Sequence, residues 1–238
     1  MSNNIGNNNG NNDSNNTGSN IGGKGKMVTI TIDDKKYDVP EGRRLLWAAL
    51  DNGIYIPHLC GIEEEEKPSA GCRLCFVEID GLVNPVTSCT QPVKEGMIVR
   101  TRSKRIDRMV KNGFELLLSN HRIACGKCAA NGSCELQKIA KERGLKLRVS
   151  RMRKLDNEAP VDDSLEKFSY DPAKCVLCGR CVWVDHNKAK VGAIGLVRRG
   201  MARRVAVFGE TTLAESNCTQ CGECVQACPV GALAMKKQ

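Results

Sequence analysis

The sequence contains few aromatic residues and no long apolar run. Aromatic side chains make up 4% of the 238 residues, so a conventional aromatic-rich core is not expected. No stretch approaches the roughly 18 consecutive apolar residues that a membrane-spanning helix needs. The first 26 residues, rich in Asn and Gly, lack an apolar segment of export-signal length and are predicted to be a disordered tail. These absences predict a cytoplasmic protein that makes no direct membrane span and whose thiols stay reduced.

In place of a large core the sequence has cysteine. Its 14 cysteines fall into four groups with short internal spacings, a pattern of metal ligation and not of a disulfide framework. The formal net charge is +9. It falls to about +3 if four iron–sulfur clusters are held by four, three, four and three thiolates, because each thiolate is negative and each oxidised cluster core carries two positive charges. Much of the basic excess therefore offsets cluster charge, and we expect no nucleic-acid partner.

The segment 27–102 begins with a strand pattern. Apolar and polar residues alternate, and a turn at Asp33-Asp34 leads into a second short strand, which predicts a β-hairpin beginning with Val28, Ile30 and Ile32. A helix is predicted next, with apolar residues from Leu45 to Leu50 on its inner side and Gly53 after its end. A hairpin followed by a packed helix is typical of a β-grasp ferredoxin domain, and we expect the overall fold class to be α+β.

Three further segments are predicted. Residues 103–145 form a small helical domain, with helices from Ser103 to Ser119 and from Glu135 to Arg143. Gly113 costs about 1 kcal/mol relative to alanine inside the first of these helices, so close packing is expected there. Residues 146–165 are basic and then acidic and are predicted to be a linker. Residues 166–238 form the last domain.

The first cysteine group follows the predicted hairpin and helix. It has the spacing C-x11-C-x2-C-x13-C, formed by Cys60, Cys72, Cys75 and Cys89. One cysteine on a loop, a close pair and a distant fourth cysteine are the layout of a [2Fe-2S] site. A zinc ribbon is disfavoured because it needs two close pairs.

The second group has only three cysteines, and they lie between the two helices of the segment 103–145. These are Cys125, Cys128 and Cys134. His121 is the only histidine within reach along the sequence, and it is predicted to be the fourth ligand of a [4Fe-4S] cluster. His58, by contrast, is interpreted as a loop residue.

The last two groups belong together as the two-cluster pattern of bacterial ferredoxins. The first run is Cys175, Cys178 and Cys181, and the second is Cys218, Cys221, Cys224 and Cys228, followed by Pro229. In this pattern the last cysteine of each run binds the cluster of the other run. Cys228 is therefore predicted to complete the [4Fe-4S] site of Cys175, Cys178 and Cys181.

The position that should complete the other site departs from the pattern. A fourth cysteine would be expected after three intervening residues beyond Cys181, and Asp185 stands there. Three outcomes are open for Cys218, Cys221 and Cys224: a [4Fe-4S] cluster held by Asp185, a three-iron cluster, or an empty site. The carboxylate-ligated cluster is favoured, and His186 is the neighbouring alternative ligand.

These residues resemble the iron–sulfur region at the start of the large electron-input subunit of respiratory complex I. The same region is found in the N-terminal half of [FeFe]-hydrogenases and in small subunits of NAD-linked hydrogenases, formate dehydrogenases and transhydrogenases. The resemblance extends from about Met27 to Met235. Four stretches carry it: Val39-Pro40-Glu41-Gly42, Asn52 to Pro57 with Leu59-Cys60, the run from His121 to Gln137, and Cys178-Gly179-Arg180-Cys181-Val182.

The resemblance implies an electron-transfer subunit with one [2Fe-2S] and two to three [4Fe-4S] clusters. It would conduct electrons between a flavin/NAD(P) module and a second catalytic module, in a complex that could be electron-bifurcating. FMN and NAD(P) would be bound only by partner subunits, since the sequence has no G-x-G-x-x-G motif after a strand. The implied partners are a flavin- and NAD(P)-binding iron–sulfur subunit and a further small [2Fe-2S] subunit. The alternative is a diffusible multi-cluster ferredoxin that serves several enzymes.

Overall fold

The structure is a computed structural model, and it describes residues 26–148, 151–153, 159–209 and 211–236. Residues 1–25 of the predicted tail lie outside the described residues. Within these ranges no helix combines the length and the apolar character that crossing a bilayer requires.

The predicted hairpin is confirmed. Strand β1 (Met27–Ile32) pairs antiparallel with β2 (Lys35–Pro40). The turn residues Asp33 and Asp34 both have positive φ angles, 45° and 66°. Two consecutive left-handed residues match the right-handed twist of the two strands, which is why a two-residue turn suffices.

The hairpin is one edge of a five-stranded mixed sheet. The other strands are β3 (Phe76–Ile79), β4 (Val86–Thr87) and β5 (Ile98–Arg100), and the order across the sheet is β2-β1-β5-β3-β4. Strand β1 is parallel to β5, and the other neighbours are antiparallel. Helix α1 (Leu45–Asp51) shares a core with the inner faces of the strands, which confirms the packed helix expected after the hairpin.

Helix α2 (Lys104–Ser119) connects this sheet to the rest of the chain. Ser103 caps it, since the Ser103 hydroxyl accepts a hydrogen bond of 3.1 Å from the Ile106 N–H. A Cβ atom at Gly113 would lie 2.8 Å from the carbonyl oxygen of Arg73. The close packing predicted from this glycine is therefore confirmed. Because Arg73 lies between Cys72 and Cys75, α2 supports the loop that carries two cysteines of the first group.

Helix α3 (Glu135–Arg143) has the predicted bounds and ends at Gly144, which has a left-handed φ of 62°. The Arg143 guanidinium joins it to α2 through Asp107, at 2.9 Å. Both helices contribute to a second apolar core, which continues into the last part of the chain.

The remaining elements are short. They are β6 (Phe168–Tyr170), α4 (Arg180–Asn187), β7 (Gly195–Val197), β8 (Arg204–Ala206), α5 (Glu223–Ala227) and β9 (Leu233–Met235). Strand β6 pairs with β9, and β7 pairs with β8. The end of the predicted linker contacts this part, because the Asp162 carboxylate accepts a 2.7 Å hydrogen bond from the Leu213 N–H.

The chain has the same backbone conformation directly before helix α4 and directly before helix α5. Gly179 and Gly222, directly before them, have φ angles of 79° and 82°, and Leu177 and Gln220 both have a φ of 55°. The two cysteine runs thus share one backbone conformation, although their other residues differ. A loop of this shape is present at Cys218 as well as at Cys175.

Candidate metal centres

The four cysteines of the first group lie together and are buried. The sulfurs of Cys60 and Cys72 are 3.4 Å apart, and the Cys72 N–H donates to the Cys60 sulfur at the same distance. Hydrogen bonding with Cys72 lowers the pKa of Cys60 to about 5, and the same contact raises the pKa of Cys72. Cys75 and Cys89 form a second pair of this kind, and Cys89 is also close enough to Cys60 and Cys72 to interact with their charges. In each pair one thiol, Cys60 or Cys89, therefore loses its proton more readily than its partner.

The cysteines of the second group are also neighbours. Burial raises the pKa of Cys134, and the nearby Cys128 and Cys125 raise it further, while the N–H groups of Gln137 and Leu136 oppose the shift. The Gln137 side chain fixes the preceding loop, since it accepts from the Gly132 N–H and donates to the Asn131 side chain, each at 2.8 Å. Sequence reasoning missed this role of Gln137.

His121 is buried and oriented by a backbone group. Its Nδ1 lies 2.8 Å from the carbonyl oxygen of Lys174. A carbonyl only accepts, so Nδ1 carries the proton and Nε2 keeps the lone pair that a metal ligand needs. Burial lowers the pKa of His121, which favours the neutral ring. The hydrogen bond of this ring is to Lys174 and not to a cysteine, and ligation by Nε2 stays a prediction.

The third group consists of Cys175, Cys178 and Cys181. Cys228 lies beside these three residues, as cross-ligation requires. Burial raises the pKa of Cys178 to about 12, with further contributions from Cys175 and Cys228. The pKa of Cys181 is raised by burial and by the neighbouring Cys178, Cys175, Cys228 and Cys224. The Leu177 N–H donates to the Cys175 sulfur at 3.4 Å. Four sulfurs that are distant in sequence therefore face one small cavity.

The fourth group consists of Cys218, Cys221 and Cys224, and Asp185 lies beside these three residues. Burial raises the pKa of Cys224 to about 12, and Cys218, Cys221 and Asp185 contribute in that order. Asp185 is buried in α4, and its Oδ2 accepts a 3.1 Å hydrogen bond from the Ile194 N–H. A small cavity is lined by Asp185 together with all three cysteines.

His186 is placed differently from Asp185. Its Nε2 lies 3.0 Å from the carbonyl oxygen of Ile194, and the ring lines a cleft with Cys60, Cys178 and Trp183. The residues that line this cleft do not include the cysteines of the Cys218 run. Of the two alternatives, Asp185 is the residue that shares a cavity with the three cysteines.

The third group adjoins two others. Cys60 of the first group and Cys178 of the third line the same cleft, and Lys188 bridges to Glu64 near it at 2.7 Å. In addition, the Glu135 N–H donates to the Pro229 carbonyl at 2.9 Å, which joins the Cys134 loop to the Cys228 loop. The groups thus form a connected series within one fold.

The donor sets fit iron–sulfur clusters. In the described ranges, no three or more His, Cys, Asp or Glu side chains are arranged to hold a metal ion. The cysteine groups are therefore identified by the neighbours and the cavities that their members share. Two buried hydroxyls that lack hydrogen-bond partners, on Ser88 and Tyr170, lie inside the first and third groups. Both the N–H groups that donate to Cys60 and Cys175 and these free donors suit a cluster whose sulfurs accept hydrogen bonds. Neither hydroxyl was singled out by the sequence, where only the proximity of Ser88 to Cys89 could have indicated it.

Comparison with known families agrees with this layout. Residues 25–104 match the 2Fe-2S iron-sulfur cluster binding domain, residues 111–147 match the NADH-ubiquinone oxidoreductase-G iron-sulfur binding region, and residues 174–232 match the 4Fe-4S dicluster domain. Fold and site together define an iron–sulfur protein built from small mixed α/β domains of the 2Fe-2S and 4Fe-4S types.

Individual relatives indicate which kinds of iron–sulfur protein this chain is similar to. The chain is 38% identical to the NADPH-Fe(3+) oxidoreductase subunit alpha of Geobacter sulfurreducens, over 88% of this chain and 24% of that protein. It is 38% identical to the NADP-reducing hydrogenase subunit HndD of Solidesulfovibrio fructosivorans, over 87% and 36%. For an NADH-quinone oxidoreductase subunit of Rhizobium meliloti the identity is 35%, over 87% and 24%. The chain thus spans about a quarter to a third of the length of these curated relatives.

A solved structure matches over nearly its whole length. It is a chain in the crystal structure of NAD+-reducing [NiFe]-hydrogenase in the H2-reduced state, with a TM-score of 0.77 and 31% identity, over 88% of this chain and 87% of that chain. The present chain belongs to the family of iron–sulfur subunits that includes this hydrogenase chain and the similar subunits of NADH-quinone oxidoreductase. The resemblance expected from the sequence motifs is confirmed.

Proposed function

We propose that the chain is an electron-transfer subunit of a multi-subunit NAD(P)-linked oxidoreductase, with one [2Fe-2S] and two to three [4Fe-4S] clusters. The observation that carries the proposal is the connected series of cysteine groups, in which the third adjoins the first through a shared cleft and the second through the Glu135 and Pro229 contact. Iron–sulfur clusters, when bound, supply one-electron carriers at fixed positions. A protein that held only one such group would have no need of this arrangement.

The ligands are assigned by group. Cys60, Cys72, Cys75 and Cys89 would hold [2Fe-2S], and His121, Cys125, Cys128 and Cys134 the first [4Fe-4S] cluster. Cys175, Cys178, Cys181 and Cys228 would hold the second. The chain's own part is to desolvate these sulfurs and to aim N–H groups at them, as the Leu177 N–H is aimed at Cys175.

The fourth site is assigned to Cys218, Cys221, Cys224 and Asp185. Its loop has the same backbone conformation as the loop at Cys175, and Asp185 lines its cavity. A loop without a ligand role would have no reason to repeat that conformation around three cysteines. Cys221 is exposed, and a carboxylate is a harder ligand than a thiolate, so this cluster should be the most labile of the four.

Hydride chemistry is assigned to partners. The relatives include subunits named for NADH, NADPH and NADP-linked activities, and we infer that a flavin- and NAD(P)-binding iron–sulfur subunit delivers or removes electrons. A further small [2Fe-2S] subunit and a second catalytic module would complete a cytoplasmic complex, which could be electron-bifurcating. The two interpretations left open by the sequence, an obligate subunit and a diffusible ferredoxin, differ in whether these partners stay bound.

The test is anaerobic purification of the tagged chain from its own cells. We expect a flavoprotein to co-elute in a stable ratio, and NADH or NADPH to reduce the clusters in the complex but not in the isolated chain. Iron, sulfide and EPR analysis should show one [2Fe-2S] and at least two [4Fe-4S] signals. A free monomer that carries these clusters would support the diffusible ferredoxin, and a chain without iron and sulfide would overturn both interpretations.

A further inference from the structure

Two buried hydroxyl groups have no hydrogen-bond partner in the described part of the chain. They are Ser88 Oγ and Tyr170 OH, and no other buried side-chain nitrogen or oxygen there lacks one. Ser88 is completely buried, and Tyr170 is 7% exposed. A hydroxyl that loses its water on burial normally gains a partner in the protein, so each of these groups calls for an acceptor.

Ser88 lies within the first cysteine group. It directly precedes Cys89, and its N–H donates a 2.8 Å hydrogen bond to the Cys75 carbonyl, which holds the residue against the site. The Ser88 hydroxyl is near the Cys75 sulfur and favours its thiolate form, against the larger effects of Cys89 and of burial, which raise the pKa of Cys75. The buried hydroxyl therefore lies within the cysteine group and has no hydrogen-bond partner there.

Tyr170 occupies the same position relative to the third group. It lies in strand β6, where it pairs with Leu233, and its side chain lines the small cavity shared with Cys175, Cys178, Cys181 and Cys228. A phenol keeps its proton at neutral pH, so the Tyr170 hydroxyl is available as a donor. Two unrelated elements thus present one free O–H donor to each of two cysteine groups.

We propose that Ser88 and Tyr170 each donate a hydrogen bond to a sulfur of the cluster held by their cysteine group, and thereby raise its reduction potential. The proposal rests on the proposed function. A reduced cluster carries one more negative charge than an oxidised cluster, so a fixed donor stabilises the reduced form more strongly. Hydrogen bonds to the sulfurs are among the factors that set cluster potentials.

The test is an EPR-monitored redox titration of the purified chain and of the variants Ser88→Ala and Tyr170→Phe. Each substitution removes the donor and keeps nearly the same shape. We expect Ser88→Ala to favour the oxidised [2Fe-2S] cluster about tenfold at a given potential, which corresponds to a midpoint lower by about 59 mV for one electron. Tyr170→Phe should do the same for one [4Fe-4S] couple only. Each variant therefore serves as a control for the other.

Two further variants control for the loss of a hydroxyl in general. Ser119 is buried, but its hydroxyl already donates to the Leu116 carbonyl at 2.6 Å, and Tyr37 lies in β2 opposite Ile30 of β1. Ser119→Ala and Tyr37→Phe should leave every midpoint unchanged. A second measurement, ENDOR of the reduced wild type and variants in H2O and D2O, should show at each cluster one exchangeable proton that the matching variant lacks, in addition to those of the Cys72 and Leu177 N–H groups.

The outcomes separate the two proposals. Intact clusters whose midpoints do not move in Ser88→Ala and Tyr170→Phe would overturn this inference and leave the electron-transfer function standing. Wild-type protein that binds no iron and sulfide would instead overturn the function. If a variant loses its cluster, wild-type protein labelled with 15N decides: more exchangeable protons than 15N nuclei coupled to that cluster support the hydroxyl hydrogen bond, and equal numbers contradict it.

Discussion

The Nδ1–H of His121 donates a 2.8 Å hydrogen bond to the backbone carbonyl of Lys174. Lys174 directly precedes Cys175, so the ring that should complete the second group is fixed by the chain segment that begins the third. The bond determines the tautomer, because Nδ1 holds the proton and Nε2 keeps the lone pair that iron ligation would need. One hydrogen bond between residues 53 positions apart thus orients the predicted ligand of one group and ties it to the next group.

The identity of His121 as a ligand can be tested by substitution. His121→Cys should keep a [4Fe-4S] cluster and lower its midpoint potential, since thiolate adds one negative charge. His121→Ala should lose the cluster or retain a three-iron form. EPR and iron analysis of both variants measure this. An Ala variant with the wild-type spectrum and an unmoved potential would exclude ligation by His121.

Asp185 can be separated from a purely structural role by a matched set of variants. Asp185→Asn keeps an oxygen that can accept from the Ile194 N–H, whereas Asp185→Ala loses it. If Asp185 binds iron, both variants should lose iron from the Cys218 site, and Asp185→Cys should keep a four-iron cluster. If the residue only positions Ile194, Asp185→Asn should retain wild-type iron content and signals. Iron and sulfide analysis with EPR distinguishes the two results.

Metal removal should unfold the second half of the chain. The cysteine groups close loops around small cavities, and the short strands β6 to β9 contribute little pairing of their own. Metal binding energy is therefore expected to be part of the folding energy. Chelated protein should show no cooperative thermal transition from His121 onward, measured by hydrogen exchange. An unchanged transition after chelation would contradict this expectation.

Gly113→Ala should destabilise the contact between α2 and the first cysteine group. The added Cβ would meet the Arg73 carbonyl oxygen at 2.8 Å, and a backbone atom cannot move aside freely. Alanine improves helix propensity by about 1 kcal/mol, but overpacking costs more, so we expect a net loss of about 1–2 kcal/mol. Denaturant unfolding followed by [2Fe-2S] absorption measures it.

The control for this substitution is Lys111→Ala, at an exposed position of the same helix. It should leave the stability within about 0.5 kcal/mol of wild type. Greater stability of Gly113→Ala than of wild type would show that the loop around Arg73 yields to the added methyl group.

Local structure followed from local sequence. Apolar residues at helical spacing and a capping serine located α2 to within one residue, and Gly144 marked the end of α3 because glycine reaches its left-handed φ without strain. The two C-x2-C-x2-C runs predicted loops of one kind, and the paired φ angles at Leu177 and Gln220 agree. Spacing of a few residues restricts a backbone strongly, so these features could be predicted from the chain alone.

Only tertiary packing decided which distant residues meet. The sequence left Asp185 and His186 as alternatives for the Cys218 site, and the direction in which α4 packs places Asp185 in that cavity and His186 in the cleft with Cys60. Ser88 and Tyr170 carry no motif, and their free hydroxyls appear only when burial and partners are known. Contacts between residues far apart depend on how whole elements pack, and no short-range pattern encodes that orientation.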